Sequence, residues 1–176
     1  HGSDSLNPLF VNDSSQRESL ISKSKDMSQL LLNSAAAANV VMLGAGYFTP
    51  LSGFMDKKNA ISVSNNMLTT EGLFWPVPIV NLTKDSKNIK IGDEIALLDP
   101  NMEGNPVIAI QQVSAIENLS DDEIKVMTDK VFGTTDKSHP GVANFLSLGN
   151  TLISGDIKVL NYSYFPNEFP GTFATA

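Results

Sequence analysis

Residues Gly44 to Met55 read GAGYFTPLSGFM. Three glycines and Pro50 within twelve positions make a poor helix and a poor strand, because glycine is penalised in both and proline removes a backbone donor. The stretch is a turn-rich connector, yet it carries Tyr47, Phe48, Leu51, Phe54 and Met55. Loops normally run over the surface in polar side chains, so this one must bury its apolar groups against its own domain or a neighbour. A well-packed Ω-like loop meets that demand without a ligand.

Upstream, Asn33 or Ser34 can cap a helix built from Ala35 to Ala38 and Val40 to Leu43, with Gly44 as the left-handed residue that stops it. Before it, Gln29 to Leu32 suits a strand, and a short helix starting near Ser14 or Ser15 carries Leu20 and Ile21 inward. His1 to Asp13 is an extended arm that lays Leu6, Leu9, Phe10 and Val11 on the domain. Downstream, Asp56 caps a helix through Ala60, Ile61 and Val63 that fades at Asn65-Asn66. Pro76 and Pro78 then allow only the start of a strand, which continues through Ile79 and Val80 to Leu82. Trp75, the only tryptophan, is expected in the core.

Ile89 to Ala115 carries the clearest strand pattern. A Gly92-Asp93 turn, a strand from Glu94 to Leu98, a polar connector from Asp99 to Asn105 and a strand from Val107 to Val113 make an antiparallel hairpin. Ser120 and Glu123 form a capping box, so the acidic run Asp121-Asp122-Glu123 is explained by a helix start and its dipole without a metal. Ile124, Met127 and Val131 fall on one face of that helix, and Gly133 ends it. Pro140 opens a further helix running through Val142, Phe145 and Leu146 to Gly149. Thr151 to Ile153 and Ile157 to Leu160 read as a last hairpin around Gly155-Asp156. The tail from Asn161 holds Tyr162, Tyr164, Phe165, Phe169 and Phe173, and is expected to pack on something that follows.

The 176 residues fit one domain, and 41% hydrophobic residues is ordinary for a globular chain. No apolar run reaches the roughly 20 residues of a membrane helix. HGSDSLNPLF lacks both the basic start and the apolar core of a signal peptide, so the expected location is cytoplasmic. The absence of cysteine excludes disulfides and thiolate-held metals. Nineteen acidic against twelve basic residues give a net charge of −7, Arg17 is the only arginine, and Lys57-Lys58 is the only adjacent basic pair. Phosphate backbones demand clustered lysine and arginine, so nucleic acid is not the expected partner.

Chemistry has little to work with. The two histidines are His1 and His139, and His139, beside Asp136, is a candidate proton carrier or anion ligand. The more ordinary role for His139 is to fix the loop before Pro140 or to line a domain interface. There is no G-x-x-x-x-G-K-[ST] loop, GAGYF lacks the third glycine of G-x-G-x-x-G, and Lys130 and Lys137 flanking VFGTTD do not make a phosphate site. No catalytic, cofactor-binding or metal residue is assigned.

GAGYFTPLSGFM resembles the G-x-F-x-P-L-x-G-F-M signature of the N-terminal, PUA-like domain of the ATP sulfurylases (sulfate adenylyltransferases). WPVPIVNL from Trp75, GDEIALLDP from Gly92, VFGTTDKSHPGV from Val131 and SGDIKVLNYSYF from Ser154 resemble further blocks in the same order. The resemblance implies an α+β fold, a PUA-like small β-barrel with short flanking helices, over residues 1–165. Residues 166–176 would then begin a linker to a catalytic domain, and FPGTFATA resembles that lead-in except that Ala174 stands where an arginine is usual. Family members join ATP and sulfate to give adenosine 5′-phosphosulfate and diphosphate with magnesium, or run in reverse in sulfur oxidisers. Their catalytic domain carries Q-x-R-N-P-x-H-x-x-H and G-R-D-H motifs, which this sequence lacks, so no catalytic residue transfers to it. SDDEIKVMTDKVFGTTD resembles the short bacterial and archaeal form, commonly a homodimer. The partner implied is the catalytic domain, docked on a face formed by some of Phe48, Leu51, Phe54 and the aromatic tail. RNA binding, a role of PUA-like folds elsewhere, would require a basic groove.

Overall fold

A computed structural model describes residues 2–176; His1 and the reading placed on it lie outside the described residues. Helix starts follow local capping chemistry. Asp13 accepts from the Gln16 N–H to open α1 (Ser14–Lys23), Asn33 from Ala36 to open α2 (Ser34–Gly44), and Asp56 from Asn59 to open α3 (Lys57–Asn66). Both arms of the Ser120–Glu123 capping box are present at α4 (Asp121–Phe132), which stops at Gly133 in the left-handed region. α5 (Pro140–Ser147) begins with Pro140, and a single turn, α6 (Phe165–Glu168), lies in the tail.

The strands form one mixed sheet. β1 (Ser28–Leu31) runs parallel to β4 (Glu94–Leu98), which forms the expected antiparallel hairpin with β5 (Val107–Gln112). β2 (Gly53–Phe54), β3 (Leu82–Thr83), β5 and β6 (Ala115–Asn118) all pair with the nine-residue β7 (Thr151–Val159). The result is an α+β half-barrel with short helices around it, as expected. Its main core gathers Val40, Leu43, Ile95, Leu97, Ile108 and Val159 around Trp75, which is 5% exposed and meets Phe48 edge-on at 5.7 Å. A smaller core under α3 and α4 holds Ala60, Leu82, Leu119, Met127 and Leu152.

β7 corrects the reading of a final hairpin. Gly155 does not reverse the chain; it bends a continuous strand. Residues before it pair with β6 and β3, and residues after it with β5 and β2. Gly155 sits at φ 138°, where a Cβ would overlap the Gln112 carbonyl. Gly53 faces this bend so closely that its own Cβ would overlap the Gly155 carbonyl. Glycine is required at both places by contact with backbone, which cannot step aside.

Four other expectations change. Gly44 is the last residue of α2 rather than its left-handed stop; a Cβ there would lie 2.7 Å from Val159 Cγ1, and the positive φ falls on Gly46. The strand from Val77 to Leu82 shrinks to β3, because Pro76 and Pro78 lack donors, although Ile79 and Leu82 are buried. α1 buries no residue fully: Leu20 packs half-buried beside Val11, Ala96 and Leu160 as expected, but Ile21 is 38% exposed. The aromatic tail folds back on its own domain: Tyr162, Phe165 and Phe173 pack on the main core, and the Ala176 N–H donates to the Ala45 carbonyl at 2.9 Å. In the N-terminal arm Leu9, Phe10 and Val11 dock as expected, Val11 donating to the Val159 carbonyl at 2.9 Å, while Leu6 stays exposed.

The glycine requirement is measurable. Gly155→Ala should lose more than about 3 kcal/mol in urea unfolding, combining a strained φ with overlap of fixed backbone. Gly104→Ala, also at positive φ but with nothing within 4 Å, should lose only about 1 kcal/mol.

Candidate functional site

His139 is placed by the start of α5. Its Nδ1 accepts a long hydrogen bond, 3.4 Å, from the Val142 N–H, and its ring lies 5.8 Å from Phe132. The Asp136 carboxylate accepts from the Ser138 N–H at 2.9 Å, and the Asp136 carbonyl from the His139 N–H at 3.0 Å. The Ser138 backbone and hydroxyl, and more weakly the nearby His139, hold the Asp136 carboxyl below its ordinary value. The two side chains are neighbours, each engaged with backbone. This matches the loop-fixing role and does not present an acid–base pair to a common point.

A cavity of about 560 Å³ lies between α4 and α5, with Asp121, Lys125, Thr128, Lys137, Leu146 and Asn150 among its walls. It takes in Lys137 but not Lys130, His139 or Asp136, and its Thr128 hydroxyl donates to the Ile124 carbonyl at 2.6 Å. Among the described residues no three His, Asp or Glu side chains come together as a metal site. A cavity with one acid, two lysines and an apolar floor can hold an organic anion loosely, but it brings no nucleophile and base together.

The best-defined charged cluster ties two helix starts. Lys57 Nζ meets Glu123 Oε2 at 2.8 Å, and the Lys57 N–H donates to Glu117 Oε2 at 2.9 Å. Glu123 also accepts from the Ser120 N–H at 2.8 Å. Its carboxyl is lowered below the ordinary value, first by Lys57 and then by the Ser120 backbone. The cluster holds α3 and α4 together.

The apolar face differs from the expected one. Phe54 is 4% exposed because β2 turns it under β7, and Phe48 and Leu51 are half-buried against the main core. The side chains that do face out are Tyr47, Phe74, Val77 and, in the tail, Phe169, with Met67 and Leu68 beside them in sequence on the hairpin to Trp75. No local signal marks this face, which depends on the pairing of β2 with β7 and on the hairpin that joins Leu68 to Phe74.

A profile described as a PUA-like domain matches residues 1–162. The chain belongs to the PUA-like domain family. This PUA-like domain is 54% identical over 176 residues to a sulfate adenylyltransferase of Alcanivorax borkumensis, covering 100% of the chain and 44% of that relative. It is 49% identical over 175 residues to the sulfate adenylyltransferase of Allochromatium vinosum, covering 99% of the chain and again 44% of the relative. The PUA-like domain thus spans less than half the length of these curated relatives. A solved structure titled a hexameric APS kinase from Thiobacillus denitrificans has the same fold, with a TM-score of 0.68 and 21% identity, over 97% of this chain and 28% of that one.

Two predictions test the roles assigned. His139→Ala should cost up to about 1 kcal/mol through the lost α5 cap, and His139→Asp, which restores an acceptor, should recover it; thermal unfolding checks both. Because the Glu123 carboxyl is lowered in the fold, its contribution is present above 4.5, the ordinary value, and lost as pH falls through the folded value. Glu123→Gln should therefore be less stable than the parent at neutral pH, and the gap should close as the pH is lowered below that range.

Proposed function

We propose that this chain is the N-terminal, non-catalytic domain of a sulfate adenylyltransferase, and that the full-length protein joins ATP and sulfate to give adenosine 5′-phosphosulfate and diphosphate. The observation that carries this reading is the match along the whole chain, at 54% identity, to a sulfate adenylyltransferase of which it covers 44%. We assign ATP, magnesium and in-line displacement at the α-phosphorus to a catalytic domain following residues 166–176, with this domain, over 1–165, as its scaffold. That domain is the partner, and the full enzyme is a cytoplasmic homodimer of sulfur metabolism; no helix among the described residues is long and apolar enough to cross a membrane. An RNA-binding role is less favoured, since a net charge of −7 opposes phosphate binding.

The test is pyrophosphate-dependent ATP formation from adenosine 5′-phosphosulfate. The full-length protein should turn over and residues 1–176 alone should not. Turnover by the segment alone would overturn the scaffold reading, and no turnover by the full-length protein would overturn the assignment of activity.

A further inference from the structure

Two grooves whose walls carry no charged side chain meet at Tyr47. One, of about 470 Å³, runs between α2 and the tail past Met42, Phe169 and Phe173; the other, of about 260 Å³, lies beside Phe74 and Val77. Charged residues number 31, 19 acidic and 12 basic, in a chain of 176, so their exclusion from both grooves is a local property. Depletion of charge around exposed aromatics marks the centre of an interface. Tyr47 is 48% exposed, Phe74 57%, Val77 45% and Phe169 47%.

The hairpin that bears Phe74 is built to present it. Leu68 and Phe74 form an isolated bridge and the Trp75 N–H donates to the Met67 carbonyl at 2.8 Å, which turns Trp75 into the core and its neighbour Phe74 outward. The chain arrives at the same place. The Tyr47 hydroxyl donates to the Ala174 carbonyl at 3.3 Å and the Ala176 N–H to the Ala45 carbonyl at 2.9 Å. A polypeptide continuing past Ala176 starts beside Tyr47, in an adjoining hollow that Asp4 and Leu6 also line.

We propose that the face centred on Tyr47, Phe74 and Val77 seats the segment that follows Ala176 in the full-length protein. The proposal rests on the reading of this chain as part of a longer sulfate adenylyltransferase, whose relatives carry more than half their length outside the match. A tethered segment meets the face at an effective concentration on the order of millimolar, which a second copy in solution does not match. Tether and apolar face together favour the chain's own continuation as the occupant.

The test uses the full-length protein with the photo-cross-linker p-benzoylphenylalanine at position 74 and, as control, at position 91, where Ile91 is 66% exposed and outside both grooves. Mass spectrometry of the products should find position 74 joined to peptides beyond residue 176, well above the yield at position 91. Cross-links to residues 1–176 of a second copy, or a yield no higher than the control, would overturn the proposal. Phe74→Asp should also speed proteolytic separation of the two parts about tenfold over Ile91→Asp, the factor that about 1.4 kcal/mol corresponds to; equal rates count against it. Pyrophosphate-dependent ATP formation by the same unirradiated protein separates the two readings. Activity without the cross-link sinks the docking face alone, and the cross-link without activity sinks only the enzymatic assignment.

Discussion

Four strands take their hydrogen bonds from β7, and β7 can serve all four only because it turns a corner at Gly155. At that corner three backbone segments lie closer than any side chain permits: the Gln112 carbonyl on one side, Gly155 itself, and Gly53 on the other. The stretch from Gly44 to Met55 depends on the same strand at both ends, since Gly44 presses on Val159 and Gly53 on the bend. The N-terminal arm exchanges backbone bonds with Val159 at Leu9 and Val11. The connector, the arm and both half-sheets are thus positioned by one strand.

A corner of this kind leaves backbone groups that no regular ladder satisfies, and a buried pair of amides completes the pairing. Gln111, 0% exposed, donates through Nε2 to the Ile153 carbonyl at 3.2 Å and accepts from Asn81 Nδ2 at 3.3 Å, while the Asn81 carbonyl takes the Ile153 N–H at 3.0 Å. Buried polar groups are tolerable when each finds a partner. Asn81 and Gln111 hold the interior of the half-barrel at the point where β7 changes neighbours.

What could be read in advance was what is decided locally. Asp13, Asn33, Asp56 and Ser120 cap their helices through groups three residues away, and the β4–β5 hairpin declares itself by alternation. Gly155-Asp156 misled because the pair is an ordinary turn signal, whereas the reason for that glycine is a carbonyl 43 positions earlier. Gly44 misled in the same way, through Val159. The tail looked unpartnered because α2, its docking surface, is distant in sequence. On the functional side, the engagement of His139 and Asp136 in loop geometry was legible, since Pro140 announces the helix that His139 caps. The exposed face was not: the burial of Phe54 depends on β2 pairing with β7, and the exposure of Phe74 on a hairpin set by Trp75.

The acid surplus of this chain has a second meaning. Asp13, Asp56, Asp85, Asp93, Asp99, Glu117, Glu123 and Asp136 each accept a backbone N–H through a carboxylate oxygen among the described residues. Eight of the nineteen acidic side chains therefore act as fixed acceptors for turns and helix ends rather than as loose surface charge. Recolouring this surface with lysine, as one might to change solubility or adsorption, would remove backbone acceptors along with negative charge. The freedom to redesign its electrostatics is confined to the remaining acids.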